Sequence, residues 1–215
     1  MRSRFDNLIR SALVLACLDA APAWAIAVPS PAKSVVPSHI VLVGLSGGVA
    51  DTQLAEFVVK VRSLANEPFP FASVAIDFGN AQDVRLASVQ PDAGLAVNCI
   101  SGIVHRIADA QGEARFTIVG SGTGVFSPGN TQCVIRVYGD GTLLASPIVH
   151  TYDLDGQQGL GAGDLSIFIS EFITGAGSWA ADYDGSGALG AGDLSLWLTA
   201  FSRGTQTSSA GPVCP

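Results

Sequence analysis

A duplicated acidic segment near the C-terminus constrains the fold of this chain more than any other feature. Residues 182–201 repeat residues 153–172 at an offset of 29, and eleven of the twenty aligned positions are identical. Duplication at a fixed offset indicates one structural unit that is made twice. Apolar residues follow each acidic stretch at the spacing i, i+3, i+4 and i+7, which is typical of a helix with one apolar face. We therefore predict two loop–helix units, whose apolar faces, including Phe168, Trp197 and Phe201, pack against each other as a small core.

Both copies place oxygen-bearing side chains at positions 1, 3, 5 and 12, counted from the first aspartate; we call residues 153–164 loop one and residues 182–193 loop two. Ca²⁺ takes roughly six to eight oxygen ligands, and an EF-hand loop supplies them from such alternate positions and from the carbonyl at position 7. We predict two Ca²⁺ sites that contribute to folding, because clustered carboxylates repel each other without a cation. The predicted ligands are Asp153, Asp155, Gln157, Gly159 and Asp164 in loop one, and Asp182, Asp184, Ser186, Ala188 and Asp193 in loop two.

The two loops differ at position 6, where an EF-hand loop turns sharply. Loop two has Gly187 there, whereas loop one has Gln158. A non-glycine residue in a left-handed conformation costs about 1 kcal/mol, so we expect loop two to be the better formed site. Position 8 is leucine in both copies, and we expect Leu160 and Leu189 to face inward and pair in a short loop-to-loop contact.

The duplicated segment resembles the dockerin domain of cellulosome-type assemblies. The run Ala181-Asp-Tyr-Asp-Gly-Ser-Gly-Ala-Leu189 with Asp193-Leu194 is similar to that family's repeat, and the resemblance covers residues 152–203. It implies calcium loops that each carry only an exiting helix. It also implies a protein partner of cohesin type, bound largely through loop positions 10 and 11 and the helices behind them. Those positions are Ala162, Gly163, Ala191 and Gly192.

The region from residue 38 to residue 150 has a different pattern, with period two. Apolar and polar residues alternate over short runs such as 57–62, 74–78 and 133–138, and turn residues separate the runs. Asp140-Gly141 between two such runs is a strong hairpin signal. Short alternating runs of this kind predict an antiparallel β-sandwich of about the size of one immunoglobulin-like domain.

Part of this region resembles a bacterial Ig-like domain of the invasin and intimin type. The similarity lies in residues 57–78, with an Asn-x-Pro turn between two strands, and in the run from Ala108 to Ile118. It implies a spacer, adhesin or ligand platform rather than an enzyme. The predicted fold class is therefore an all-β Ig-like sandwich followed by a small α-helical dockerin-like domain. The predicted segments are a signal peptide (1–25), a Pro-rich linker (26–37), the sandwich (38–150), the dockerin-like domain (151–204) and a tail (205–215).

The first 25 residues have the composition of a secretory signal peptide. Arg2, Arg4 and Arg10 precede a short apolar run, and Ala23-Trp24-Ala25 supplies small residues before the expected cleavage point. A lipoprotein signal ending at Cys17 is an alternative. The apolar run is shorter than the roughly 20 residues of a membrane span, so we expect a protein that is secreted to the extracellular space or the cell surface.

Export to an oxidising compartment bears on the cysteines of the mature chain. Cys99 and Cys133 are the natural disulfide pair, and Cys214 would be left over. Two buried free thiols at positions 99 and 133 are the alternative.

Charge and composition exclude several classes of function. Only 11 basic residues stand against 18 acidic ones, for a net charge of −7, which is unsuited to a nucleic-acid binder. We find no catalytic constellation, so we expect no enzyme. The leading prediction is a secreted, non-catalytic calcium-binding protein that docks to a protein partner and displays an Ig-like module. The alternatives are an accessory or carbohydrate-binding subunit of a polysaccharide-degrading system, and a calcium-folded tail with no partner.

Overall fold

The computed structural model describes residues 28–124, 133–157, 159–174, 179–203 and 212–215. The predicted signal peptide and Gln158 lie outside these residues. The described residues form thirteen strands, none of them longer than five residues. The strands are β1 (His39–Leu42), β2 (Leu45–Ser46), β3 (Val49–Ala50), β4 (Phe57–Lys60), β5 (Ser73–Asp77), β6 (Val84–Leu86), β7 (Ala96–Asn98), β8 (Ile103–Ile107), β9 (Glu113–Phe116), β10 (Gly120–Gly122), β11 (Arg136–Gly139), β12 (Thr142–Ala145) and β13 (Ile148–Thr151).

The described residues form only a few short helices. The α-helices are α1 (Thr52–Ala55), α2 (Ala162–Thr174) and α3 (Ala191–Ser202), and a 3-10 helix spans Trp179–Ala181. Helices α2 and α3 follow loop one and loop two, as the apolar spacing predicts. Within the described ranges, none of these helices has the length and apolar character needed to cross a membrane.

The largest sheet is antiparallel and has five strands in the order β12-β11-β5-β8-β7. Val137, Ile76 and Val104 lie side by side across its centre and are fully buried, so this face belongs to the core. The predicted hairpin is confirmed, because Asp140 and Gly141 both have positive φ and join β11 to β12. Four strand pairs complete the described β-structure: β2-β3, β4-β9 and β6-β10 are antiparallel, and β1-β13 is parallel.

The parallel pair β1-β13 joins the two ends of the β-region. Ile40 lies opposite Val149, and Leu42 opposite Thr151. Since β13 leads directly into loop one, this pairing places loop one beside the strands. Residues 28–37, predicted as a linker, are also attached: Val35 forms an antiparallel bridge with Lys60 of β4.

The predicted fold class, an Ig-like sandwich followed by a small helical domain, is wrong. The described residues are mostly short strands in five small sheets, and no self-contained helical domain is evident among them. Phe168 of α2 and Trp197 of α3 are buried in the same hydrophobic core as the strands. Phe172 and Phe201 remain 53% and 52% exposed instead of closing a separate core between the helices. The helical spacing located both helices, but their buried residues belong to one core that they share with the strands.

The predicted disulfide between Cys99 and Cys133 is also wrong. Cys99 is bonded to Cys214, and Cys133 is a buried free thiol. The reason is a strand-like return of the C-terminal segment: Val213 bridges Ala87, and the Cys214 amide donates to the Leu86 carbonyl at 2.8 Å. This pairing brings the next-to-last residue to the loop after β7, while Cys133 points into the core.

Candidate metal centre

Each loop brings three carboxylates together. One carboxylate oxygen from each of Asp153, Asp155 and Asp164 lies within 4.8 Å of the others, and the same is true of Asp182, Asp184 and Asp193. The third aspartate of each triad is in the first turn of α2 or α3. Two acidic triads that could hold a metal ion are therefore present at the positions that the sequence predicts.

In loop one, the helix aspartate fastens the start of the loop. Asp164 Oδ1 accepts the amides of Leu154 at 2.6 Å and Asp155 at 3.0 Å, and its Oδ2 accepts the amide of Gly161 at 2.6 Å. Asp153 Oδ1 accepts the Gly156 amide at 2.7 Å. These hydrogen bonds hold the loop backbone in a turn around the three carboxylates. The side chains of the triad are therefore brought together by the loop conformation.

Loop two repeats the arrangement with small differences. Asp193 accepts the amides of Asp184 at 3.1 Å and Gly190 at 2.8 Å. Asp182 accepts the amides of Ser186 at 3.0 Å and Gly187 at 2.8 Å, one on each oxygen. All four carboxylate oxygens of Asp182 and Asp193 therefore have a backbone donor.

One oxygen in loop one has no such donor among the described residues. Asp153 is 1% exposed, and its Oδ2 is buried without a hydrogen-bond partner in the described part of loop one, which leaves out Gln158, the counterpart of Gly187. Burial, reinforced by the nearby charge of Asp164, raises the pKa of Asp153 to about 7. Burial also raises the pKa of Asp164 and Asp182, although amide hydrogen bonds oppose the shift. A buried carboxylate oxygen without a donor fits a cation site, because a bound cation supplies the missing partner.

The other predicted ligands are placed less uniformly. In loop two, the Ser186 hydroxyl donates to the Ala188 carbonyl at 3.0 Å and lies 3.4 Å from Asp182 Oδ1, so positions 5 and 7 adjoin the triad. In loop one, Gly159 is buried, whereas Gln157 is exposed. The expected effect of Gln158 at position 6 concerns a residue outside the described part of the chain.

The predicted partner-binding residues, Ala162, Gly163, Ala191 and Gly192, are all exposed at the starts of α2 and α3. The two glycines also have a role in the sites that sequence reasoning missed. A Cβ on Gly163 would overlap Asp155 Oδ2, and a Cβ on Gly192 would lie 2.6 Å from Asp184 Oδ2. The absence of a side chain at position 11 lets the position 3 carboxylate approach the helix. In the sequence, the presence of glycine at position 11 of both copies was the feature that could have indicated this role.

Loop one is attached to the β-region by its backbone. The Gly122 amide donates to the Asp153 carbonyl at 2.6 Å, and the Gly124 amide to the Leu154 carbonyl at 3.0 Å. A Cβ on Gly122 would overlap the Leu154 carbonyl. No pattern in the sequence indicates that Gly122, some 30 residues upstream, contacts the first ligand of loop one.

Loop two contacts a different part of the β-region. A Cβ on Gly185 would lie 2.6 Å from His39 Nδ1, at the start of β1. Asp184 is exposed, and hydrogen bonds from Ser186 hold its pKa below the usual value. The two triads are thus similar in composition and different in surroundings.

Comparisons of the chain with protein-family models, curated proteins and solved structures found no match.

Proposed function

We propose that this protein is an exported, non-catalytic calcium-binding protein whose two loop–helix units are completed by Ca²⁺. The observation that carries the proposal is the buried Oδ2 of Asp153, which lies inside a triad of carboxylates and has no hydrogen-bond donor among the described residues. Residues 1–25 support export, because they have the composition of a signal peptide.

The donor set supports a hard cation. Both triads consist of carboxylates, with no cysteine or histidine among them. Oxygen donors suit Ca²⁺, Mg²⁺ and Mn²⁺ rather than zinc or copper. Among these, Ca²⁺ accepts irregular geometry and many protein ligands, whereas Mg²⁺ usually keeps several waters. Extracellular calcium modules function with dissociation constants of about 10⁻⁴–10⁻³ M, so the neutral position 5 ligands, Gln157 and Ser186, are compatible with this proposal.

The residues that would hold the ions have a structural role. A bound cation supplies the positive charge that three clustered carboxylates need. Ordering of loop one should also stabilise the β-region, because Asp153 and Leu154 are hydrogen-bonded to Gly122 and Gly124. Calcium uptake at loop one is therefore expected to stabilise the whole described fold and not only its C-terminal part.

Thermal unfolding of the purified protein tests this proposal. We expect the Tm to rise with millimolar CaCl₂, to rise less with MgCl₂, and to fall when the protein is treated with EDTA. The matched control is Glu67→Gln, which removes a negative charge from an exposed site far from both triads in sequence. Asp153→Asn should lose much of the calcium response, whereas Glu67→Gln should keep it. An unchanged Tm across all three conditions would contradict the proposal.

A second function, attachment to a protein partner, is favoured by the outer faces of α2 and α3. Ile169, Phe172, Leu198 and Phe201 are between 43% and 53% exposed there. Ile169 and Phe172 are three residues apart, as are Leu198 and Phe201, so the two members of each pair share a helix face. Grouped exposed apolar residues are typical of protein-interaction surfaces, whereas single ones are not. The resemblance of residues 152–203 to dockerins makes a cohesin-type domain the partner to try first.

Surface plasmon resonance with an immobilised cohesin-type domain tests the second function. We expect binding in CaCl₂, loss of binding in EDTA, and weaker binding of Phe172→Ala. Leu64→Ala, which truncates another exposed apolar residue, serves as the control and should bind like the wild type. No binding in CaCl₂, or equal binding by Phe172→Ala and Leu64→Ala, would contradict attachment through these helices.

A further inference from the structure

Tyr183 belongs to loop two by sequence, but its side chain contacts the surroundings of loop one. It stands between the predicted ligands Asp182 and Asp184, and it is only 3% exposed. Its hydroxyl donates to the carbonyl of Thr151 at 3.1 Å. Its ring stacks on Tyr152 with a centroid distance of 4.6 Å.

The residues that Tyr183 contacts flank the first triad on both sides. Thr151 and Tyr152 immediately precede Asp153, and the Thr151 hydroxyl donates to the Asp153 carbonyl at 3.3 Å. The Tyr183 ring also lies near the ring of Phe168, with a centroid distance of 6.4 Å and nearly parallel planes. Phe168 follows Asp164 by four residues and is therefore one turn further along α2. A single side chain of loop two thus fixes both the strand that enters loop one and the helix that leaves it.

Leu160 and Leu189, which we expected to pair between the loops, both lie at the common core: Leu160 is buried in it, and Leu189 is partly buried against it. Across the described ranges, no strand pairing or isolated bridge joins the two loops. The contacts of Tyr183 with Thr151, Tyr152 and Phe168 are a direct side-chain connection from one ligand loop to the residues that flank the other.

We propose that Tyr183 is a positioning residue that couples the two metal sites, so that occupation of one loop raises the affinity of the other. This inference rests on the proposed binding of Ca²⁺ by both loops. Ordering of Asp182 and Asp184 fixes the backbone of Tyr183, and the ring and hydroxyl then hold the backbone next to Asp153 in place. Coupling of this kind is reciprocal, and typical values correspond to a change in affinity of roughly 5- to 150-fold.

The test is a mutant cycle read by calorimetric titration of the full protein with CaCl₂. Asp184→Asn disables loop two at its exposed ligand, and the affinity of loop one is then measured in two backgrounds. With Tyr183 present, Asp184→Asn should lower the affinity of loop one by at least about fivefold. In Tyr183→Leu, which removes both ring and hydroxyl, the same change should have less than about a twofold effect, because independent sites do not influence each other.

Two further variants separate coupling from a general loss of stability. Tyr183→Phe keeps the rings stacked and removes only the hydrogen bond to Thr151, so it should give a coupling factor below that of the wild type; it also carries the test if Tyr183→Leu does not fold. Tyr138→Phe, on the five-stranded sheet, should leave the coupling factor unchanged. A merely structural tyrosine would lower the Tm without changing the ratio of affinities.

The outcomes distinguish this inference from the proposed function. Two ions that bind independently in the wild type, or a Tyr183→Phe coupling factor equal to that of the wild type, would overturn the coupling and leave two calcium sites standing. A wild-type protein that takes up no Ca²⁺ would overturn the proposed function and the coupling together.

Discussion

Loop one and loop two have aspartate at the same three positions and differ in what surrounds them. Asp153 and Leu154 of loop one are buried, and their carbonyls accept the amides of Gly122 and Gly124, whereas residues 184–188 of loop two are exposed. Among the described residues, Asp153 of loop one keeps an oxygen without a donor, whereas both oxygens of Asp182 accept backbone amides. Duplicated sequences can therefore supply equal ligands without equal sites, because burial and hydrogen bonding are decided by the neighbours of each copy.

The largest expected effect comes from the attachment of loop one to β10. Gly122→Ala places a Cβ against the Leu154 backbone, which cannot move aside as a flexible side chain can. We expect a loss of about 3 kcal/mol in the free energy of unfolding, measured by urea denaturation in CaCl₂. Gly187→Ala in loop two meets no atom within 4 Å and has only the unfavourable positive φ, so it should cost about 1 kcal/mol. An equal loss of unfolding free energy in the two variants would contradict the claim that close packing of loop one against β10 makes Gly122→Ala the more damaging change.

The next effect concerns the first ligand of each loop. Asp153→Asn should abolish the stabilisation that one site gives, about 2.7 kcal/mol at a calcium concentration of 100 Kd. In EDTA near pH 8, the same variant should be more stable than the wild type, because it removes a buried charge that lacks a full set of donors. Asp182→Asn should lose its calcium response but gain no stability in EDTA, since Asp182 accepts an amide on each oxygen. Urea denaturation in calcium and in EDTA measures the loss and the gain of stability for both variants. A gain of stability in EDTA for Asp182→Asn would contradict the difference between the two loops.

Position 11 should have a moderate effect, and mainly on affinity. Gly163→Ala forces Asp155 away from the helix, so we expect the calcium affinity of loop one to fall about tenfold, as for other residues that orient ligands. Gly192→Ala should weaken loop two less, because Asp184 is exposed and can shift. Gly161→Ala is the control, since its Cβ would make only an ordinary contact at 3.9 Å with Asp164. Calorimetric titration gives all three affinities; if Gly161→Ala lost as much as Gly163→Ala, crowding of Asp155 would not be the cause.

The last expected effect is a pH dependence of the metal-free protein. The pKa of Asp153 is about 7 in the folded protein, against an ordinary value of 3.8. The folded state therefore binds this proton more tightly than the unfolded state, and the resulting stability is complete below about pH 4 and lost as the pH rises through 7. The slope should not exceed about 1.4 kcal/mol per pH unit for one proton. Urea denaturation of the chelated protein between pH 5.5 and 8 should show this loss, and Asp153→Asn should lack it. Parallel curves for the two proteins would contradict the assignment to Asp153.

Local patterns in the sequence predicted local structure well. The period-two runs coincide with β4 and overlap most of β5 and β11, the Asp140-Gly141 turn joins β11 to β12, and the acidic repeat gives two triads. These features depend on residues a few positions apart, for which alternation and turn chemistry carry direct information.

Contacts between distant residues were not predictable in this way. The pairing of β1 with β13, the bond between Cys99 and Cys214 and the attachment of loop one to Gly122 each join segments about 30 residues or more apart. Nothing in the alternation of β1 says which strand will lie beside it. The fold class was wrong for the same reason, since the apolar faces of α2 and α3 could pack on each other or on the sheets, and the sequence pattern is the same in both cases.

Calorimetric titration of the purified wild-type protein with CaCl₂, after removal of metal by EDTA and dialysis, tests the central claim most directly. We predict that each chain takes up two Ca²⁺ ions at or below millimolar free calcium, and that Asp153→Asn takes up fewer. A wild-type titration with no heat of binding and no change in Tm at millimolar calcium would contradict the claim that the two acidic triads hold Ca²⁺.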